Sequence, residues 1–526
     1  MSLKNNIRLI DLFAGPGGLG EGFSRYKNYE RFKPSVSVEM DKIASETLRF
    51  RKFYRIANQE KGKLLKDYYS LLKNPKSFND YLEDHKNKNL IKALNQSVWN
   101  HELGSLSPEE TYFQISSRLN SLERKKSECI IIGGPPCQAY SLSGRSRRSK
   151  LEKKGAYIAK EDKRHFLYEQ YLGLLPKFTP ALFIMENVPG ILSSKMDGEL
   201  MFEKILDDLR NIDGIKYKLL PLTVETNKLE LFPSSYQGKD FQINSDEYGI
   251  PQARKRVIIM GIRSDLMSSG GPRRYLEKSH PITVKEILES MPKLRSGISK
   301  INGQSIKDSE DVWKKEVLNW FGLKSKIKDK EVKELLFKHF LPAIKKSSLS
   351  RGDEFFASSD YKKSCNNLPK DLKKWLFDPK LKGFINSSTR SHMDSDLKRY
   401  IYNSVHTEVY GKPPLLDDYP DFLQPNHANK KQGVHKDRFR TLDPERPSKT
   451  ITSHISKDGH AFIHFDPAQC RSLTVREAAR IQTFPDNYFF CGNRTQQYHQ
   501  VGNAVPPYLA KQIAEVVSDF LESIGI

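Results

Sequence analysis

The chain has 526 residues, with 87 lysines and arginines against 64 aspartates and glutamates, a formal charge of +23, a pI near 9.5 and a mean hydropathy of -0.62. That length exceeds a usual single domain, so a large core with a second domain or a big insertion is expected, and the basic excess favours a polyanionic partner, nucleic acid or an anionic membrane surface. No apolar run of about 18 residues and no apolar amino-terminal core occur, which excludes a spanning helix and a signal peptide and leaves a cytoplasmic, non-membrane protein as the expectation. Five unevenly spaced cysteines form neither a disulfide framework nor a zinc cluster, and no metal is expected.

Ile7 to Phe13 reads as a first strand, and Ala14-Gly15-Pro16-Gly17-Gly18-Leu19-Gly20 as a tight turn into a helix. Glycines after a strand let a ligand approach the backbone, and the following helix offers free N–H groups. A second strand, Ser35 to Met40, carries Glu39 about 20 residues beyond the glycines, the spacing at which a nucleoside ribose is held. From 43 to 126 the pattern turns helical and basic and reads as an insertion. Cys129 to Ile132 is a short buried strand that stops at Gly133-Gly134-Pro135-Pro136-Cys137-Gln138. Two prolines fix two φ angles and remove two donors, so Cys137 is presented on a stiff turn.

Ser141 to Arg148 is a polar, basic loop suited to phosphate contact, with Ser141, Ser143 and Arg145 as its candidates. A helix over 163–175 leads to the strand Ala181 to Met185, which ends in Glu186-Asn187-Val188-Pro189. Alternation along Gln252-Ala253-Arg254-Lys255-Arg256 puts Gln252, Arg254 and Arg256 on one face ahead of the strand Val257 to Gly261. Between about 263 and 437 the rhythm fades into lysine-rich sequence punctuated by Trp313, Trp320, Phe321, Tyr361 and Trp375, read as a smaller domain carrying most partner contacts. Thereafter 450–452 and 461–465 look like strands, and Thr474-Val475-Arg476-Glu477 is a capping box. Gln500 to Pro507 introduces a terminal helix whose apolar face packs back onto the first domain.

Asp11 to Gly18, Gly134 to Gln138, Glu186-Asn187-Val188, Gln252 to Arg256, Arg471 to Glu477 and Val501 to Pro507, in that order, resemble the DNA cytosine-5 methyltransferases, as found in bacterial restriction-modification systems. The resemblance implies an α/β fold: a Rossmann-like, S-adenosyl-L-methionine-dependent catalytic domain over 1–263, a target-recognition domain inserted over 264–437, and a return to the catalytic domain over 438–526. It implies that Phe13, Ala14, Gly15, Gly17, Gly18 and Leu19 cradle the cofactor together with Pro135, Asn503, Ala504 and Val505. Glu39 would take the ribose and Met40 would lie on adenine. The family's adenine-binding aspartate has no clear equivalent here, Glu102 being a poor candidate.

The same resemblance makes Cys137 the nucleophile for carbon-6 of cytosine, Glu186 the group at ring N3, Arg256 the holder of the ring carbonyl and Arg254 its support, with Ser141, Ser143, Arg145 and Gln252 contacting DNA. Double-stranded DNA is then the substrate, a restriction endonuclease a functional counterpart, and a monomer the expected state. An RNA cytosine-5 methyltransferase of the tRNA-modifying branch and a catalytically silent DNA-binding relative are the alternatives. The long basic segment after Arg263 favours DNA, and intact Cys137, Glu186 and Arg256 favour catalysis. A dinucleotide oxidoreductase, suggested by the glycine turn alone, leaves the Pro-Pro-Cys turn without a role.

Overall fold

A computed structural model of the chain describes residues 6–74, 78–84, 88–119, 129–135, 165–196, 199–223, 236–269, 274–425 and 437–526. Two compact units divide it: 1–65 with 78–280 and 504–526, and 66–77 with 281–503.

The first unit is built on a nine-stranded sheet. Its strands are β1 (Ile7–Leu12), β2 (Phe32–Glu39), β3 (Val98–Asn100), β4 (Cys129–Gly133), β5 (Leu182–Asn187), β6 (Asn211–Ile212), β7 (Ile215–Leu220), β8 (Gln242–Asn244) and β9 (Lys255–Arg263). They run in the order β3-β2-β1-β4-β5-β9-β7-β6, with β8 paired to β9. The first five are mutually parallel, and β9 lies antiparallel to β5 and β7. A parallel sheet is covered on both faces, so its strands are apolar on both sides. Accordingly Ile131, Phe183, Met185 and Ile259 enter one core, and Ile130, Ile132, Ile184 and Ile258 enter the other. This is the expected Rossmann-like α/β fold.

Three elements depart from the sequence reading. Strand β2 begins at Phe32 and runs through Pro34, which is tolerated because β3 pairs only with Ser37–Glu39 and leaves that side of β2 an edge at the proline among the described residues. The stretch 43–126, read as a helical insertion, contains the edge strand β3, whose three residues are too few to show a period of two. It also contains α2 (Lys42–Glu60), capped by the Asp41 side chain accepting from Ala44 N at 2.8 Å. The stretches 450–452 and 461–465 form no strands; Ile463 makes single bridges to Thr441 and Ser472 instead.

The terminal helix Pro507–Ser523 behaves as expected, with proline at its first turn and Leu509, Ile513, Ala514, Val517 and Phe520 buried in the second core. It lies against α1 (Gly18–Arg25), where a Cβ on Gly22 would overlap Ala510 Cβ and come within 2.6 Å of Lys511 N. Gly22→Ala is therefore expected to lower stability by about 1–3 kcal/mol through overpacking, read as an earlier urea midpoint.

In the second unit Trp313, Trp320, Tyr361 and Trp375 are buried core residues. Trp313 donates its indole N–H to Ser296 Oγ at 2.9 Å, and Trp375 to the Thr483 carbonyl at 2.7 Å. The capping box is present, Thr474 Oγ1 accepting from Glu477 N at 3.2 Å and Thr474 N donating to Glu477 Oε2 at 2.7 Å. Arg471 grips the same carboxylate with two bonds of 2.6 Å. Burial alone would push the Glu477 carboxyl up; the Arg471 charge overrides it and holds it at about 2. The stretch 438–503 belongs with this second unit, and within the expected return over 438–526 only 504–526 rejoins the first.

Candidate active site

Strand register builds the site. Leu12 pairs with Val38 on one side and Gly133 on the other, Gly133 pairs with Met185, and Glu39 pairs with Asn100. The carboxyl edge of the sheet therefore reads Asn100, Glu39, Phe13, Gly134, Glu186 across five neighbouring strands. Ligands of open α/β sheets bind at this edge.

The first half is a cradle made of backbone. Phe13 has φ 55°, a left-handed value uncommon in a non-glycine residue, and it starts a turn continued by Gly15 at 54° and Gly17 at 88°. Ala14 N donates to the Val38 carbonyl at 3.1 Å and Gly15 N to Glu39 Oε2 at 2.8 Å. Glu39 Oε1 accepts from Asp41 N at 2.8 Å, so each carboxylate oxygen keeps a lone pair for a ligand hydroxyl. Burial raises the Glu39 carboxyl above its ordinary range, against three backbone N–H groups that stabilise the anion. Gly18 opens α1 with no room for a side chain, since a Cβ would overlap the Val505 carbonyl oxygen. Leu19 and Ala504 are buried beside it, and Met40 is 61% exposed. Asn503, the last residue of the helix Arg494–Asn503, places its amide 3.3 Å from His499 Nδ1.

Asn100 is the residue the sequence did not reveal. Its amide donates to the carbonyls of Glu39 at 2.9 Å and Met40 at 3.0 Å, fixing the loop that presents both. The only signal was its place at the end of Val98-Trp99-Asn100, a run overlooked within the helical stretch.

Asp11 lies beneath the cradle, 1% exposed, where a Cβ on Gly20 would stand 2.7 Å from its Oδ2. Burial pushes this carboxyl up to about 7; the Arg55 charge opposes the rise and the Glu39 charge adds to it. The folded-state value exceeds the unfolded one, so the folded chain holds the extra proton between about pH 4 and about pH 7. Stability from Asp11 is thus complete below pH 4 and is lost as pH rises to 7, by up to about 1.4 kcal/mol per pH unit. Asp11→Asn is expected to flatten that decline in urea denaturation followed from pH 5 to 8.

The second half is charged. Glu186 Oε1 and Arg256 Nε form an ion pair at 2.6 Å, both side chains largely buried. A Cβ on Gly134 would lie 2.6 Å from Glu186 Oε2, so glycine there allows the turn after β4 to pass directly over the carboxylate. Asn187 Nδ2 donates to the Pro135 carbonyl at 3.4 Å and ties that turn to β5. Burial shifts the guanidinium of Arg256 down against the pull of Glu186. Arg254, also fully buried, is shifted well down by burial and by the Arg256 charge. The expected alternation holds: Gln252 and Arg254 are buried and Arg256 nearly so, while Ala253 and Lys255 are exposed. Gln252 is 0% exposed, which sets it inside the fold rather than on a surface a duplex could touch. Cys137, Ser141, Ser143 and Arg145 lie outside the described residues.

Known proteins resemble this chain in sequence and in fold. The sequence model of the C-5 cytosine-specific DNA methylases matches residues 76–519. The type II methyltransferase M.Bpa9945I of Bacillus paralicheniformis is 30% identical over 527 residues, covering 98% of this chain and 99% of its own. The DNA (cytosine-5-)-methyltransferase M.ApeKI of Aeropyrum pernix is 26% identical over 440 residues, 75% of this chain and 82% of its own. A structure described as a DNA modification methyltransferase encoded within an E. coli prophage shares the fold, with TM-score 0.52 and 19% identity over 98% of this chain and 100% of that one.

Proposed function

The chain belongs to the C-5 cytosine-specific DNA methylases and is a DNA cytosine-5 methyltransferase, and on that premise we propose that it methylates a cytosine flipped out of a specific duplex sequence, through a covalent bond from Cys137 to ring carbon-6. The observation that carries the chemistry is the Glu186–Arg256 pair at 2.6 Å beside the turn at Gly134. Carbon-5 of cytosine is a poor nucleophile, and a thiolate adding at carbon-6 drives electron density into the ring. The charge collects toward N3, where the Glu186 carboxyl holds the proton, and on the ring carbonyl, where Arg256 donates. Once carbon-5 carries the methyl, loss of its proton expels the Cys137 thiolate and restores the ring.

The methyl donor is S-adenosyl-L-methionine, which supplies a sulfonium-bound methyl group. The cradle fits it: Glu39 retains acceptor capacity for ribose hydroxyls, Met40 offers an exposed apolar face for adenine, and the glycine turn admits the methionine end against Val505. Attack on the ring face requires the base to leave the stack, at a cost of a few kcal/mol. Ser141, Ser143 and Arg145 close over it, the second unit reads the sequence, and in a bacterial cell the mark protects cytoplasmic DNA from a cognate endonuclease.

Bisulfite or nanopore sequencing of DNA from cells expressing the protein tests this. One short sequence carrying 5-methylcytosine at nearly every occurrence is expected. Unmethylated DNA, with methyl transfer to tRNA instead, would contradict it.

A further inference from the structure

A second site lies at the opposite edge of the sheet from the chemistry. Arg8 and Lys33 sit near the amino ends of β1 and β2, paired in register. Beside them are Lys52 on α2, Lys88 and Lys92 on the helix Lys88–Ser97, and Arg118 at the end of the helix Pro108–Arg118. These six cations line two adjoining grooves of about 580 and 330 Å³, which share Gln96 and Arg118. Among the described residues no carboxylate lines either groove, and Lys33, Lys52, Lys88, Lys92 and Arg118 make no ion pair.

Each placement works against the free protein. Like charges in register across strands, and at i,i+4 on a helix as Lys88 and Lys92 are, repel one another. Burial and the neighbouring Arg55 and Lys33 charges pull the Lys52 ammonium down to about 8. Arg118 is held in place, its guanidinium 4.9 Å from the Trp99 ring and bonded to Gln114 Oε1 at 2.9 Å. Five cations without an ion pair among the described residues, around a groove with polar lining from Ser35, Asn95 and Gln96, have a clear complement in a ligand of several negative charges.

We propose that this groove binds a run of phosphate groups, independently of the methylation site. Sodium tripolyphosphate, titrated into the full-length protein by calorimetry, is the probe. Binding is expected to weaken at least about tenfold in Lys52→Gln/Lys92→Gln, with melting temperature and methylation of duplex DNA unchanged. In the wild type, tripolyphosphate is expected to shield Lys52 from an amine-reactive reagent at pH 8, read by peptide mass spectrometry, because a bound anion keeps the ammonium charged. Competition by a cytosine-free dA·dT duplex, lost in the same variant, would assign the phosphates to nucleic acid; competition by ATP but not by the duplex would assign them to a free nucleotide. No binding, equal binding by the variant, or an unshielded Lys52 would overturn the proposal.

Discussion

Cys137→Ser is expected to lower turnover by roughly four orders of magnitude or more while duplex affinity changes little. A serine hydroxyl is nearly isosteric with the thiol but is almost wholly protonated near neutral pH, and so is a far weaker nucleophile. Addition at carbon-6 therefore stops, whereas the basic surfaces that hold phosphate are untouched. Methyl incorporation from labelled cofactor, paired with a gel-shift or anisotropy titration, separates the two effects. Full methylation by the serine variant would remove Cys137 from the mechanism.

Glu186→Gln is the second large effect, with kcat expected to fall about 10²- to 10³-fold and the KM for the methyl donor to change little. The amide keeps the shape beside Gly134 but can neither pass a proton at ring N3 nor balance Arg256. A merely structural role would instead show as loss of folding, which the melting curve reads.

Much of this was legible from the residues because the chemistry sits at strand ends. Apolar runs cut by glycine or proline marked β1, β4, β5 and β9; Phe13 and Gly134 follow the first two, Glu186 lies at the carboxyl end of β5 and Arg256 at the start of β9. The capping box at Thr474 and the packing of the terminal helix were equally readable, one from a four-residue pattern and the other from an apolar face. What escaped was whatever depends on distant partners. Strand β3 is three residues long and gains its identity only from pairing with β2, so Asn100 was invisible. Trp313 and Trp320 stand among charged sequence neighbours with no readable period, because the core that buries them is assembled from segments as distant as Phe439 and Cys470. The apparent strand at 461–465 failed similarly, since Ile463 finds only single bridges to Thr441 and Ser472. Gln252 was placed on the right face by alternation, but alternation cannot say whether that face meets solvent or core.

In the proposed mechanism Cys137 bonds covalently to a cytosine held by Glu186 and Arg256. The measurement that addresses it most directly is to incubate the protein and S-adenosyl-L-methionine with a duplex carrying 5-fluorocytosine in its methylated sequence, then digest and map the crosslink by mass spectrometry. Fluorine at carbon-5 blocks the elimination that would free the thiol, so a denaturation-resistant adduct on the peptide containing Cys137 is expected. An active enzyme that forms no adduct, or one whose adduct maps to another residue, would contradict the account.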